Sequence, residues 1–173
     1  AIGREWQLAT IQCDFNLPER FDLTFVNEKG KEERPVVIHR AISGSLERFM
    51  GVMIEHFAGA FPLWLSPVQV IVLPISDKHT SYVDDIITQM KAADIRAEFD
   101  ASNDSLGKRI RNAKLQKVPY IVVVGDEEIK TNTLSVESRN GKWETAPDTR
   151  EFIAHIAQEI QKREVSVSTK LDS

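Results

Sequence analysis

The chain has 173 residues, which is enough for one good hydrophobic core or for a compact domain with part of another. Its formal net charge of -4 excludes a polybasic nucleic-acid binder but is compatible with a local basic face. A single cysteine excludes a disulfide framework and four scattered histidines exclude a compact metal motif, so we expect a reducing, cytoplasmic compartment. No apolar run approaches the roughly 20 residues of a membrane span, and we expect no membrane partner.

The N-terminal part of the chain is predicted to form antiparallel strands. Segments 5–13, 21–26 and 35–40 carry the β-branched and aromatic residues that are typical of strands. Between the first two segments, Asn16 and Pro18 predict a loop. A polar connection with a central glycine separates the last two segments, and it predicts a hairpin between them.

A helix is predicted to begin near Ser45 and to end before Gly59 and Pro62. Its apolar residues recur every three or four positions and form one stripe, which consists of Leu46, Phe49, Met50, Met53 and Phe57. Three strands and one helix make a poor independent core, because an antiparallel sheet needs its apolar face covered. We therefore expect residues 1–66 to be the end of a larger domain, with a domain boundary near Ser66.

Beyond this boundary, strands and helices are predicted to alternate. Two short and almost wholly apolar runs, 70–75 and 120–125, are typical of strands buried on both faces. The other predicted elements are helices over 80–93, 105–117 and 149–163 and strands over 96–100 and 133–143. The last helix is predicted to turn four apolar side chains inward, those of Phe152, Ile153, Ile156 and Ile160. The alternation predicts an α/β fold for residues 67–173, with a mixed, largely parallel sheet flanked by helices.

The stretch HRAISGSLERFMGVMIEHF, residues 39–57, begins with polar residues that packing does not require. His39 follows an apolar strand and is a competent zinc ligand, while the guanidinium of Arg48 can meet a polyphosphate with two parallel N–H groups. The Ser-Gly-Ser turn before the helix leaves backbone N–H groups open to an anion. Taken singly, each feature also fits a structural role, because strand-end histidines are usually structural and such turns usually cap helices.

A second polar feature is the segment KRIRNAKLQK, residues 108–117, which carries five basic residues and no acidic one. In a helix, Lys108, Arg111 and Lys114 share one edge, while Ile110 and Leu115 are predicted to point inward. A solvated helix face explains the charges as well as an RNA contact does. Both interpretations stay open on composition alone.

The order of residues in 39–57 resembles motif 3 of the class II aminoacyl-tRNA synthetases, specifically the threonyl-tRNA synthetase family. The stretch GREWQLATIQCDFNLPERFDL is similar to that family's preceding strand and loop, and HFAGAFPLWLSPVQVIVLPISD to its join with the anticodon-binding domain. NDSLGKRIR and VPYIVVVGDEE resemble the anticodon-binding domain itself. The resemblance runs without evident gaps from about Gly3 to Arg163.

The resemblance implies one side of a synthetase active site. Arg48 would be the catalytic residue, which contacts the γ-phosphate of ATP, and the full-length enzyme would use ATP with Mg²⁺. The other residues implied at the ATP site are Gln7, Gly44 and Ser45, and those implied at the amino-acid site are Thr10 and Gln12. His39 would be one of three protein ligands to a zinc ion that binds threonine.

Nothing in this chain matches motifs 1 and 2 or the other two zinc ligands. Cys13 is interpreted as a small core residue rather than a ligand. One imidazole cannot hold zinc, because such sites need three or four protein ligands. We therefore expect the C-terminal part of a longer, homodimeric synthetase, and we expect this chain alone to hold no zinc and to be inactive in aminoacylation.

For the second domain, the resemblance implies an anticodon-binding site. The implied contacts to tRNA come from Asn103, Arg111, Lys117 and Glu128. Lys117 and Glu137 stand where an arginine can occur in relatives, and Glu137 would repel a phosphate. Four aromatic side chains could offer bases a stacking surface, but we predict that they pack in the core or between domains: Trp6, Phe15, Trp64 and Trp143.

The leading hypothesis is thus the C-terminal portion of a threonyl-tRNA synthetase, which binds the anticodon stem-loop of threonine tRNA. The intact enzyme would activate threonine with ATP and transfer it from the adenylate to the tRNA. An alternative is a non-catalytic tRNA-binding accessory protein built on the same domain, although His39, Ser45 and Arg48 have no purpose there. A free-standing α/β domain for a small ligand would leave the SGSLER turn unexplained.

Overall fold

A computed structural model describes residues 3–143 and 145–165, and it divides the chain into two compact units between His56 and Phe57. The domain boundary was predicted near Ser66 instead. Residues between these positions pack with the second unit, because the side chain of Leu63 lies in its hydrophobic core and Ser66 is buried. The division into domains 1–66 and 67–173 stays a prediction.

In the first unit, strand β1 (Thr10–Asp14) pairs antiparallel with β4 (Val37–Ala41). Between them, β2 (Phe25–Val26) and β3 (Glu32–Glu33) form a separate small hairpin. The predicted hairpin was longer, with 35–40 as its second strand. The polar connection forms the shorter hairpin because the side chain of Asn27 accepts the backbone N–H groups of two residues in the turn, Lys29 and Lys31.

Two helices belong to the first unit. Helix α1 (Asn16–Arg20) replaces the predicted loop, because a carboxylate oxygen of Asp14 accepts the N–H groups of Asn16 and Leu17 and so starts the helix. Helix α2 (Leu46–His56) confirms the helix predicted from Ser45. Within the described part of the unit, none of the α2 residues is buried. Leu46 and Met50 of the apolar stripe are exposed, and Phe49 and Met53 are partly buried.

The second unit is built on a mixed sheet, which in the described residues has the strand order β6-β5-β7-β8-β9. Strands β6, β5 and β7 are parallel, and β8 and β9 continue the sheet antiparallel. The strands are β5 (Val70–Pro74), β6 (Ala97–Phe99), β7 (Tyr120–Val124), β8 (Ser135–Ser138) and β9 (Gly141–Lys142). This sheet confirms the predicted α/β class.

Helices cover both faces of the sheet. They are α3 (Thr80–Ala92), α4 (Leu106–Leu115), α5 (Asp126–Thr131) and α6 (Thr149–Lys162). Helices α3 and α6 pack on one face, where Val72, Val122, Phe152 and Ile156 have no exposed surface. Helix α4 packs on the other face, where Ala113 meets Leu73 and Ile121. The predicted inward residues of α6 are confirmed, with Ile153 and Ile160 at the edge of the core.

The connections of β5 create a topological switch point. From β5 the chain passes through α3 to β6 on one side, and it then returns through α4 to β7 on the other side. In open α/β sheets, ligands bind outside the carboxyl ends of the strands at such a point. Here that edge is formed by the loops that follow Pro74, Phe99 and Val124. In the described ranges, no helix combines the length and apolar character that a membrane crossing requires.

Candidate functional site

In the first unit, the predicted zinc ligand His39 is paired with Asp14. The register of β1 and β4 sets Gln12 opposite His39, and the imidazole Nε2 lies 3.0 Å from Oδ2 of Asp14. A carboxylate only accepts hydrogen bonds, so this nitrogen carries the proton. The N–H of Leu17 and the imidazole of His39 hold the pKa of Asp14 below its usual value. No sequence pattern marks Asp14 as a partner of His39. The antiparallel pairing of β1 with β4 brings the two side chains together.

The donors around His39 do not fit a zinc ion. Among residues 3–143 and 145–165, no group of three or more His, Cys, Asp and Glu side chains is placed to hold a metal. The nitrogen that faces Asp14 is occupied by that hydrogen bond. Cys13 is exposed, so its interpretation as a core residue is wrong for the chain described here. The strand that carries it pairs only with β4 and has no covering layer in the described part of the unit.

The turn before α2 has a tightly determined backbone. Gly44 has a φ of 64°, and a Cβ atom at this position would lie 2.7 Å from the carbonyl oxygen of Leu8. The hydroxyl of Ser45 accepts the N–H of Arg48 at 3.2 Å and donates to Glu47 at 2.8 Å. Ser45 therefore caps the helix, and Arg48 extends from its first turn with an exposed side chain.

Two other predicted residues of the first unit contact each other. The amide of Gln7 donates to the hydroxyl of Thr10 at 2.9 Å, which orients both side chains at the start of β1. Gln12, with His39, lines an open depression of about 730 Å³ next to α1. The described geometry thus brings together Gln7 with Thr10, Gln12 with His39, and Ser45 with Arg48.

In the second unit, Asn103 and Glu128 follow the carboxyl ends of two parallel strands. Asn103 lies in the loop after β6 and lines a cavity of about 220 Å³ together with Ser76 and Asp77. Glu128 lies in the first turn of α5, where its Oε2 accepts the N–H of Gly125 at 2.8 Å. These positions fit a ligand that lies across the carboxyl edge of the sheet.

Arg109, one of the five basic residues of the segment 108–117, has a structural role. Its side chain is buried, with Nη2 2.7 Å from the carbonyl oxygen of Pro74 and Nη1 3.1 Å from that of Asp100. Pro74 is the last residue of β5 and Asp100 directly follows β6, so the guanidinium connects the carboxyl ends of the two strands. The same cation supports the loop that carries Asn103.

The rest of the basic segment is exposed. Lys108, Arg111 and Lys114 lie on α4, and Lys108 pairs with Asp104 at 2.9 Å. Ile110 packs on the sheet as predicted, but Leu115 is 69% exposed, so its predicted inward orientation is wrong. Four positions of α4 face inward at spacings of three and four residues: Leu106, Arg109, Ile110 and Ala113. Leu115 does not belong to this series.

Lys117 ends the turn after α4 with a φ of 56°, and its ammonium group donates to the carbonyl oxygen of Ala58. Its own carbonyl accepts from Nε of Arg139 at 2.8 Å. Arg139 also donates to the carbonyl oxygen of Phe61 at 2.6 Å. Sequence reasoning missed Arg139, because a single arginine in a turn between two strands carries no pattern that marks it.

The predicted packing of the aromatic side chains is confirmed for Trp143, which packs edge-on against Tyr120 and Phe152 in the core. Trp64 is partly buried and lies under the guanidinium of Arg163. Trp6 and Phe15 are 44% and 65% exposed, contrary to the prediction.

Comparisons with known proteins agree with both units. Residues 69–159 match the family model described as "Anticodon binding domain", and residues 1–57 match "tRNA synthetase class II core domain (G, H, P, S and T)". The first match covers more than half of the chain. The chain therefore belongs to the anticodon-binding domain family.

The particular relatives are threonine–tRNA ligases. The chain is 49% identical over 167 residues to the enzyme of Clostridium tetani, and this match covers 96% of the chain and 26% of the relative. It is 46% identical over 168 residues to the enzyme of Thermotoga maritima, with 97% and 26% covered. The chain thus spans about a quarter of the length of these curated relatives.

A solved structure extends the likeness to the fold. The RNA binding domain of threonyl-tRNA synthetase from Cryptosporidium parvum Iowa II matches with a TM-score of 0.77 and 33% identity, and covers 92% of this chain and 40% of its own. The predicted resemblance to the threonyl-tRNA synthetase family is confirmed. These relatives support that interpretation over the accessory-protein alternative.

Proposed function

We propose that the chain binds the anticodon stem-loop of threonine tRNA as part of a threonyl-tRNA synthetase. The observation that carries this proposal is the match of residues 69–159 to the anticodon-binding domain family in a chain 46–49% identical to threonine–tRNA ligases. The exposed basic edge of α4 supports it, because phosphate contacts supply most of the affinity in nucleic-acid binding.

We assign base recognition to Asn103, Arg111 and Glu128. Their amide, guanidinium and carboxylate groups can read the edges of unstacked bases, which is how proteins recognise single-stranded loops. The cavity beside Asn103 and the fixed carboxylate of Glu128 lie where ligands bind in open α/β sheets. Lys117 is proposed as a fourth contact, for which its ammonium group must leave the carbonyl of Ala58.

For the intact synthetase, we propose that Arg48 contacts the γ-phosphate of ATP beside Gln7, Gly44 and Ser45. A fixed guanidinium stabilises the charge that develops on departing pyrophosphate. Thr10 and Gln12 would line the threonine and adenylate site. The close approach of Gly44 to Leu8 supports a compact turn here.

Zinc and Mg²⁺ stay proposals for the intact enzyme. His39 would be one zinc ligand, with the others outside this chain, because the described donors do not form a zinc site by themselves. We propose that the intact enzyme is a cytoplasmic homodimer that ligates threonine to its tRNA. This chain alone is expected to show no ATP–pyrophosphate exchange.

The test is a fluorescence anisotropy titration of the chain with threonine tRNA at several salt concentrations. Arg111→Ala is expected to weaken binding roughly fivefold or more, because a specific base contact is typically worth about 1–3 kcal/mol. The matched control is Arg150→Ala, which removes an exposed arginine from α6 on the opposite face of the sheet. Equal affinities of wild type and Arg111→Ala would contradict the proposed surface.

A further inference from the structure

His79 is a buried residue at the carboxyl edge of the sheet to which the proposed function gives no role. It is 2% exposed and ends the short 3-10 helix Asp77–His79 between β5 and α3. Its Nδ1 lies 3.3 Å from the backbone nitrogen and 3.4 Å from the hydroxyl of Ser76. Its Nε2 lies 3.1 Å from Oδ1 of Asp126, the first residue of α5. Both ring nitrogens therefore form contacts, one within the connection between β5 and α3 and one with the start of α5, which follows β7.

The hydrogen-bond partners assign the tautomer of His79. The backbone N–H of Ser76 is a donor, so Nδ1 accepts, and the proton lies on Nε2, from which it is donated to Asp126. Although serine, histidine and aspartate meet here, Nδ1 is already taken by this backbone N–H and is not free to act as a base toward the hydroxyl. The cluster is a connection between loops rather than a nucleophilic site.

Asp126 receives a second contact from Lys78, whose Nζ lies 2.8 Å from its Oδ2. Lys78 and His79 together lower the pKa of Asp126 to about 2. The carboxylate thus stays ionised at neutral pH and accepts from two donors that both belong to the β5–α3 connection. The start of α5 is held to that connection by both oxygens of one side chain.

Helix α5 depends on such contacts. It has only six residues, and isolated helices shorter than about 12 residues are marginal in water. The residue before it, Gly125, also lies close to the residue that follows β5, because a Cβ atom on Gly125 would lie 2.5 Å from Cδ1 of Ile75. The backbone N–H of Gly125 in turn fixes the carboxylate of Glu128. Asp126 and Glu128 therefore share one short turn that His79 anchors.

We propose that His79 is a positioning residue for anticodon recognition: through Asp126 it fixes the first turn of α5 and so orients the carboxylate of Glu128 toward the RNA base. This inference rests on the proposed function, which makes Glu128 a base contact. His79 itself does not touch the RNA. Its effect on tRNA affinity passes through Glu128.

The test is a double-mutant cycle in the full chain, with dissociation constants measured for threonine tRNA by anisotropy. Glu128→Ala and His79→Leu are each expected to weaken binding roughly threefold or more, which is within the range of coupled neighbouring residues. In the double variant, the His79→Leu change is expected to add almost nothing to Glu128→Ala. A residue that only stabilised the domain would instead add its full fold-change in both backgrounds.

Two conservative variants of His79 and one variant of Asp126 extend the cycle. The amide of His79→Gln can donate to Asp126 from near the Nε2 position and is expected to restore most of the affinity, whereas the shorter His79→Asn is not. Asp126→Ala removes the carboxylate that accepts from His79. Because the side chain of Asp126 is 62% exposed, this change is expected to perturb folding less than His79→Leu does. It is expected to couple to Glu128→Ala in the same way. Thermal melts by circular dichroism show which variants are folded at the titration temperature.

The outcomes separate this inference from the proposed function. If Glu128→Ala weakens binding and both His79→Leu and Asp126→Ala add their full effects to it, the positioning role is overturned while the function stands. If Glu128→Ala leaves affinity unchanged but Arg111→Ala weakens it, the role assigned to Glu128 falls and the positioning role with it. Absence of any threonine tRNA binding by the wild-type chain overturns the proposed function itself.

Discussion

Lys114 and Glu137 form a 2.7 Å ion pair that joins α4 to β8. Glu137 lies opposite Ile121 in the sheet register, on the face that α4 covers, and its side chain is 23% exposed. The carboxylate that was expected to repel a tRNA phosphate is therefore neutralised by a lysine of the same basic edge. The ammonium group of Lys114 is engaged in this pair, although its side chain is 54% exposed.

Replacement of Glu137 by glutamine is expected to strengthen tRNA binding and to steepen its salt dependence. The change removes one negative charge from the basic edge and frees the ammonium group of Lys114, which should raise the salt slope by about one phosphate contact. The measurement is the dissociation constant of threonine tRNA as a function of salt concentration. Asp84→Asn, an exposed change on α3 across the sheet, is the control for net charge. An unchanged slope in Glu137→Gln would contradict this account.

Arg109→Met is expected to lower the free energy of unfolding of the second unit by roughly 2–4 kcal/mol, because it removes the guanidinium donor from one buried and one partly buried carbonyl group. Those carbonyls belong to Pro74 and Asp100. Arg111→Met, two residues later on the exposed side of the same helix, should stay within about 0.5 kcal/mol of wild type. Urea unfolding followed by circular dichroism checks both values. Similar losses in the two variants would show that burial of Arg109 is not the cause.

The sequence predicted well those elements whose side chains have a strong pattern. The strands around Val72 and Val122 are almost wholly apolar, and α6 repeats apolar residues at helical spacing, so each was evident from local order. Helix α5 was missed because its residues, Asp126–Thr131, are nearly all polar, although the acidic first turn after Gly125 is a weak start signal.

The candidate site was predictable only in part, for a physical reason. Residue types such as Arg111 and Glu128 can be selected from a motif, but the partner of each side chain depends on which strand ends meet. Arg109 and Arg111 look equivalent in composition, and the carbonyls at the ends of the neighbouring strands β5 and β6 accept from the first one, which is buried. His79 and Asp126 are 47 residues apart and meet only because β5 and β7 are neighbours.

The turn before α2 gives a matched pair of glycine substitutions. Gly44→Ala is expected to destabilise the start of the helix by about 1–2 kcal/mol, because alanine is strained at a φ of 64° and its Cβ would meet the carbonyl of Leu8. Gly51→Ala is expected to stabilise α2 by up to about 1 kcal/mol, since it lies in the helix interior and its Cβ would meet open space. Amide hydrogen exchange of α2 should rise in the first variant and fall in the second.

The titration of Asp126 gives a pH prediction. Its pKa is about 2 in the folded chain against an ordinary value of 3.8, so its contribution to stability is present above pH 3.8 and is lost as the pH falls toward 2. Lys78→Ala should move the pKa back toward 3.8, because the Lys78 hydrogen bond is the largest cause of the shift. Carboxyl chemical shifts in an NMR titration give the value directly. Lys91→Ala, at the far end of α3, should leave it unchanged.

Arg139 provides a last prediction, about the segment between Phe57 and Ser66. One guanidinium donates to the carbonyl of Lys117, the carbonyl of Phe61 and, at 3.4 Å, the hydroxyl of Ser66. Arg139→Ala removes all of these donors, so the amide hydrogens of this segment are expected to exchange faster than in wild type. Arg139→Lys keeps the charge but not the planar set of donors, and it should restore protection only in part. Arg109→Met, which is expected to be destabilised, is the positive control. If both Arg139 variants exchange at the wild-type rate while Arg109→Met is destabilised, the segment is held by the packing of Leu63 in the core rather than by Arg139.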